Sequence, residues 1–151
     1  MIIRPSDFSE VKPIWEKHLW DSRYQFEPTS AMLFLGGYDG AIATKFKPCF
    51  FAAEINGKLA GVINGHATSL TDYRLRGLFI FEEFRGKHVG AELIETVIAE
   101  AKIFGSHFFW AAPRASNMAL FEKLGFRAFS EPTNEGFLYG PNCYMGLKLK
   151  D

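Results

Sequence analysis

Residues 73–104, YRLRGLFIFEEFRGKHVGAELIETVIAEAKIF, constrain the fold more than any other stretch of the chain. The first nine residues are dense in aromatic and aliphatic side chains, as a buried strand requires. A short basic turn follows, Arg85-Gly86-Lys87-His88-Val89-Gly90. After it, apolar residues recur at Leu93, Ile94, Val97, Ile98, Ala101 and Phe104, the spacing of an amphipathic helix, and Gly105 stands where a left-handed cap would close it. A strand, a tight turn and a helix in this order aim several backbone N–H groups and the positive end of a helix dipole at one point. That point is a candidate phosphate site. It is not a Walker loop, because Gly86-Lys87 is followed by His88 and not by Ser or Thr. Nor is it the dinucleotide fingerprint, which needs three glycines where this turn has Gly86 and Gly90.

The rest of the chain must build a sheet around that unit. At 151 residues, 48% apolar and with sixteen Phe, the chain is expected to be a single domain, 1–151, that buries one core. Lys+Arg and Asp+Glu are both seventeen, so no basic surface speaks for nucleic acid or an anionic membrane. No apolar run reaches the roughly 18 residues of a membrane span, and no signal pattern opens the chain. Two cysteines, Cys49 and Cys143, read as reduced thiols. A soluble, cytoplasmic protein with no metal ligands is expected.

In order, residues 1–4 predict a short strand stopped by Pro5, and Ser6 or Asp7 predicts the cap of a helix through Val11, Ile14, Trp15, His18 and Leu19. Pro13 fits that helix best if it starts close by. His18, on a helix face with no partner motif, reads as a surface or packing residue. A second helix is expected through Met32, Leu33, Phe34 and Leu35, then a loop holding Tyr38, Asp39, Gly40 and Pro48. Tyr24, Phe26, Glu27, Tyr38 and Asp39 are mixed aromatic and acidic residues that would suit an amine pocket or a solvated connection equally well. Residues 50–55, Asn56-Gly57 and residues 58–67 form the clearest hairpin, since Asn-Gly supplies the positive φ angles of a two-residue type I′ turn. Asn64-Gly65 reads as a bulge or bend within the second arm. Residues 106–112 predict another buried strand, residues 118–124 a short helix, and residues 126–130 with 144–149 a closing hairpin.

On these residues the chain resembles the GNAT superfamily of acyl-CoA-dependent N-acetyltransferases. That family's loop is (Arg/Gln)-x-x-Gly-x-(Gly/Ala); Arg85 and Gly90 match it, while His88 stands where the middle glycine is usual. The run Phe121-Glu122-Lys123-Leu124-Gly125-Phe126 is similar to the end of the second family signature, (Tyr/Phe)-x-x-x-Gly-Phe, and the likeness covers roughly residues 50–130. It implies a mixed α/β fold: a twisted central sheet of about six to seven strands, flanked by helices and splayed in the middle for coenzyme A. It further implies acetyl transfer from acetyl-CoA to a primary amine in a ternary complex, the acceptor being a small molecule or a protein. A homodimer is a family expectation. A non-catalytic acyl-CoA-binding module is the alternative.

The resemblance also implies roles. Gly77 suits a bulge in the strand, with the N–H of Leu78 facing the thioester carbonyl. The main chain at Phe79 and Ile80 would pair with the pantetheine amides. Arg85, Gly86, Lys87, His88, Val89, Gly90 and Ala91 would hold the pyrophosphate, Asn117 (or Arg114, by strict count) would meet the pantetheine arm, and Phe121 would pack beside it. The family's usual acid–base pair is missing: Arg74 occupies the glutamate's place and Phe121 the tyrosine's. Glu54, His66 and Asp72, on or beside neighbouring strands, and Tyr139 and Tyr144, on or beside the last loop, are the replacement candidates, with His66 singled out as base and Tyr139 as acid. Arg74 and Arg76 also raise an acceptor carrying a carboxylate or phosphate.

Overall fold

The computed structural model describes residues 1–19, 40–134 and 140–150. The elements in chain order are β1 (Ile2–Pro5), α1 (Phe8–His18), α2 (Gly40–Lys45), β2 (Cys49–Ile55), β3 (Lys58–Ala67), β4 (Asp72–Ile80), a 3-10 turn (Glu82–Phe84), α3 (Val89–Phe104), β5 (Phe108–Ala111), a second 3-10 turn (Ala115–Asn117), α4 (Met118–Lys123), β6 (Arg127–Ala128) and β7 (Met145–Lys148). The described strands make one sheet in the order β1-β2-β3-β4-β5-β7-β6. Every neighbouring pair is antiparallel except β4 with β5. The mixed, seven-stranded sheet agrees with the expected architecture.

Most local signals act as their chemistry dictates. Asn56 (φ 51°) and Gly57 (φ 78°) both take positive φ and close the β2–β3 hairpin. The Asp7 carboxylate accepts from the Glu10 N–H at 3.0 Å and caps α1. Gly105 (φ 93°) ends α3, its N–H donating back to the carbonyls of Ala101 and Lys102.

Three expectations are corrected. Helix α1 begins at Phe8 and runs straight through Pro13; the ring removes the donor for the Ser9 carbonyl, at a turn that solvent reaches. Residues 40–45, read as loop, form α2. Asn64-Gly65 is no bulge, because Asn64 and Gly65 stay in register with Phe50 and Cys49. A Cβ at Gly65 would lie 2.4 Å from Val97 Cγ1, so helix packing demands that glycine. The helix expected through residues 32–35 lies outside the described residues.

Each sheet face has its own core. On one, Val89, Leu93, Ile94, Val97 and Ala101 of α3 are buried against Ala53, Ile63, Leu75 and Phe109. On the other, Val11 and Trp15 of α1 pack on Phe50, Ala52 and Val62. Burying each of these larger side chains contributes roughly 1.5–3 kcal/mol, so the sheet is clamped from both sides. Cys49 and Cys143 are both free. No described helix is long and apolar enough to cross a membrane.

Candidate functional site

The site begins where β4 and β5 part. Their register pairs are Asp72–Phe108, Tyr73–Phe109 and Arg74–Trp110, and there they stop. Strand β4 runs on to Ile80, paired with β3 alone among the described strands. Among the described strands, the main chain of residues 75–80 therefore presents an open edge, the splay that the family resemblance implies.

A bulge lies within that edge. Val62 pairs with Phe79 and Asn64 with Arg76, so one residue of β3 faces two of β4, Gly77 and Leu78. Gly77 takes φ 66° and has no room for a side chain, since an added Cβ would meet the Trp15 indole at 2.2 Å. Trp15 also holds the bulge directly: its Nε1–H donates to the Gly77 carbonyl at 2.9 Å. That carbonyl and the Leu78 N–H belong to one trans peptide, whose two polar groups point in opposite directions. With the carbonyl fixed toward α1, the Leu78 N–H is turned away from α1. Helix α1 thus sets the direction of a donor more than sixty residues later.

Beyond the bulge, Leu78, Phe79 and Ile80 are half-buried, and β4 leads into the basic turn. Arg85 donates from Nε to the Ile80 carbonyl at 3.0 Å and lays its guanidinium over the Phe79 ring at 5.7 Å. Its own N–H is used inside the 3-10 turn, to Glu82 at 3.2 Å. Gly86, Lys87 and His88 are exposed. The Lys87 ammonium lies over the Phe84 ring at 5.7 Å. His88 takes φ 63°, ψ 15° at the N-cap of α3 and makes no side-chain cap bond. The first backbone bond of the helix runs from the Glu92 N–H to the His88 carbonyl at 3.1 Å. The N–H groups of Val89, Gly90 and Ala91 precede it and have no acceptor within the helix. Three donors and the dipole of a 16-residue helix converge at an exposed turn, an arrangement suited to an anion. Gly90 lets α4 approach: an added Cβ would stand 3.3 Å from Leu120.

The remaining candidates scatter. Asn117 is exposed at the start of α4 and makes no side-chain cap bond, which removes the simple capping role. Arg114 donates to the Leu19 carbonyl at 3.3 Å. Phe121 is 3% exposed, edge-on to Phe126 with ring centroids 5.2 Å apart, and belongs to the α3-side core. His66 is 1% exposed, on β3 opposite Arg74, with Nδ1 3.2 Å from the Ala67 carbonyl. Burial, then the Arg74 and Arg76 charges, hold its imidazole well below the ordinary 6.5. It stands three residues from Ile63, the partner of the bulge, or about 10 Å along the strand. Tyr139, Tyr24, Phe26, Glu27, Tyr38 and Asp39 lie outside the described residues.

One residue that the sequence argued away returns. His18, exposed at the end of α1, stacks on Phe79 with ring centroids 4.4 Å apart and planes 12° apart, and meets Phe81 edge-on at 5.5 Å. It thereby stands over the residue next to Leu78. No local signal reports this, because the contact spans sixty-one residues of sequence.

Comparison with known proteins agrees with this geometry. The family model described as the acetyltransferase (GNAT) family matches residues 12–126. No curated protein sequence matches the chain. Among solved structures, an IAA acetyltransferase from Bacillus cereus is similar at TM-score 0.71 and 16% identity, covering 98% of this chain and 99% of that one. An aminoglycoside 6'-N-acetyltransferase complexed with coenzyme A is similar at TM-score 0.69 and 14% identity, over 98% and 97% of the two chains. The ribosomal-protein-S18-alanine N-acetyltransferase from Escherichia coli follows at TM-score 0.64 and 19% identity, over 99% and 94%. At such identities these likenesses speak for the fold, and the family model speaks for kinship: the chain belongs to the acetyltransferase (GNAT) family.

Proposed function

We propose that the protein transfers the acetyl group of acetyl-CoA to a primary amine by direct attack. The observation that carries this is the open edge of β4, with a bulge pinned by Trp15, running straight into the three unfilled amides of α3. The pyrophosphate sits on the N–H groups of Val89, Gly90 and Ala91, with the Arg85 and Lys87 side chains adding charge. Gly86 and His88 give the turn its two left-handed residues. The pantetheine arm pairs with the main chain at Phe79 and Ile80 as an added strand, and Asn117, at the start of α4, is the side chain we assign to meet it. The thioester carbonyl accepts from the Leu78 N–H, which stabilises the oxyanion as the amine nitrogen bonds to the carbonyl carbon. The C–S bond then breaks and coenzyme A leaves as the thiol.

The amine reaches the carbonyl through the gap between β4 and β5 from the α1 face. His18, on that face beside Phe79, is the base we assign for the proton that the attacking nitrogen sheds. His66 is too far down β3 to touch that proton directly. Phe121 cannot donate, so the thiolate is reprotonated by the imidazolium of His18 or by solvent. Tyr139 keeps its standing as a candidate acid.

The test is thiol release from acetyl-CoA with a panel of primary amines, alongside amide chemical shifts on titration with coenzyme A. Turnover is expected, together with shifted resonances at residues 85–91. Leu78→Pro, which deletes the oxyanion donor, should cost roughly 10²–10³ in kcat. His18→Ala should cost on the order of 10² with coenzyme A binding retained. Tight binding without turnover on any amine would leave a coenzyme A-binding module. Unmoved resonances at residues 85–91 would remove the site altogether.

A further inference from the structure

A cavity of about 280 Å³ opens on the α3 face of the sheet, at the end of the strands away from the bulge. The end of α2, the last turns of α3 and the ends of β2, β3 and β4 enclose it. Its face is fixed by Gly65, where an added Cβ would meet Val97 of α3, Tyr73 and Cys49 together. Tyr73 stands five residues before Leu78, or about 17 Å along β4. Glu100 stands eleven residues beyond Val89, again about 17 Å, along α3. A molecule held here is remote from both the thioester and the pyrophosphate turn, so it is not the amine acceptor.

The walls are aromatic. Phe46 meets Phe104 edge-on, with ring centroids 4.8 Å apart and planes at 88°, and the Tyr73 ring lies 5.7 Å from that of Phe104. Deeper in, the Cys49 sulfur and the Tyr73 hydroxyl are 3.3 Å apart. Glu100, Lys45 and Lys47 bring charge to the same cavity. The lysines are exposed at its mouth, the Lys45 ammonium 5.4 Å from the centre of the Phe46 ring, whereas Glu100 is half-buried. Burial pushes the Cys49 thiol and the Tyr73 phenol up, and the Glu100 charge adds to both, so the carboxylate stands near that deeper pair. Among the described residues, the ion pairs are Arg4 with Glu10 and Glu54, and Lys12 with Glu16. Charges of both signs thus line one aromatic cavity without neutralising each other.

We infer that this cavity binds a free α-amino acid with an apolar side chain, its ammonium on Glu100, its carboxylate on Lys45 and Lys47, and its side chain among Phe46, Phe104 and Tyr73. The lining excludes simpler occupants. An amine alone meets two lysines at the mouth, an acid alone meets Glu100 inside, and a neutral molecule takes water from Glu100 without giving it a partner. An α-amino acid carries both charges and an apolar group on one carbon. The volume agrees, since drug-sized pockets begin near about 300 Å³ and this cavity is a little smaller. The site is independent of the acetyl-transfer reading.

The experiment follows backbone amide resonances of the whole chain while phenylalanine or leucine is added. Saturable shifts are expected at residues 45–47, 49, 73 and 100–104, with residues 85–91 unmoved. Removing the ammonium (3-phenylpropanoate), the carboxylate (phenylethylamine) or the side chain (glycine) should each weaken binding by roughly tenfold or more. In Glu100→Gln the preference for phenylalanine over 3-phenylpropanoate should fall toward unity. In the double variant Lys45→Gln, Lys47→Gln the preference over phenylethylamine should do the same. Each preference is a ratio measured on one sample, and the dispersion of the amide spectrum reports that the variant is folded. Glycine binding as tightly as phenylalanine, or preferences that survive the substitutions, would overturn the assignment. So would the absence of saturable shifts at these residues with both amino acids, whatever the outcome with coenzyme A.

Discussion

His88 is a histidine in backbone that favours glycine. Its φ of 63° and ψ of 15° lie in the left-handed region, which costs an L-residue roughly 1–2 kcal/mol, although His tolerates it better than a branched residue does. Glycine relieves that strain but is looser in the unfolded chain by roughly 0.5–1 kcal/mol. The balance predicts that His88→Gly stabilises the protein by about 0.5 kcal/mol, read as a higher urea midpoint at unchanged slope. The same variant separates two uses of the side chain. If the imidazole only faces water, coenzyme A binds the variant as tightly as the parent; if it donates to the pyrophosphate, affinity falls by roughly tenfold. The resemblance drawn from the sequence makes this position a departure from the glycine usual in the family loop. The backbone shows why the departure is tolerated: the turn is exposed, and nothing crowds the ring there.

At the scale of elements, the site depends on a helix packed across the sheet. Trp15 donates to the Gly77 carbonyl, fills the space a Cβ at Gly77 would need, and underlies the Arg76 guanidinium. Trp15→Phe keeps an aromatic ring in the core but removes the donor, leaving a half-buried carbonyl unpaired. We expect a loss of roughly 1–3 kcal/mol in unfolding free energy. Because that carbonyl and the Leu78 N–H turn as one plate, kcat should also fall by about tenfold, less than deletion of the donor would cost. A variant that is destabilised yet retains full kcat would show that the bulge keeps its direction without α1. The elements themselves were largely legible. Asn56-Gly57 is a turn by its own chemistry, the period of residues 93–104 is a helix by its own pattern, and the bulge at Gly77 is what the family resemblance implies. What was illegible is what other elements impose. Gly65 looks like a bend until Val97 is seen above it, and His18 looks idle until Phe79 arrives from β4. Helix α2 was hidden because its six residues are too short to show a period.

Across the whole molecule, the charges that mark the cleft also set how the fold responds to acid. His66 is buried at 1% exposure, and desolvation followed by the Arg74 and Arg76 charges holds it well below 6.5. A base depressed in the folded state contributes stability above its unfolded value and loses it as pH falls. Below about pH 6.5 the unfolded chain takes up a proton that the folded chain refuses, at up to about 1.4 kcal/mol per pH unit. By pH 5 the loss reaches at most about 2 kcal/mol. Glu10 and Asp7 do not confuse this window, since both are held below their ordinary 4.5 and 3.8 and act only in stronger acid. Cys49 and Tyr73 are pushed up, chiefly by burial, and act only on the alkaline side. Urea titrations at pH 7 and pH 5 should therefore show a difference that His66→Gln removes, even if the variant starts from a lower stability. The arginines supply part of the depression, so Arg74→Gln should let the imidazole rise toward 6.5 and shrink the same difference by a measurable fraction. An unchanged acid slope in both variants would mean that His66 titrates as freely in the fold as out of it, and that the face of β3 and β4 beneath the cleft is wetter than its packing implies.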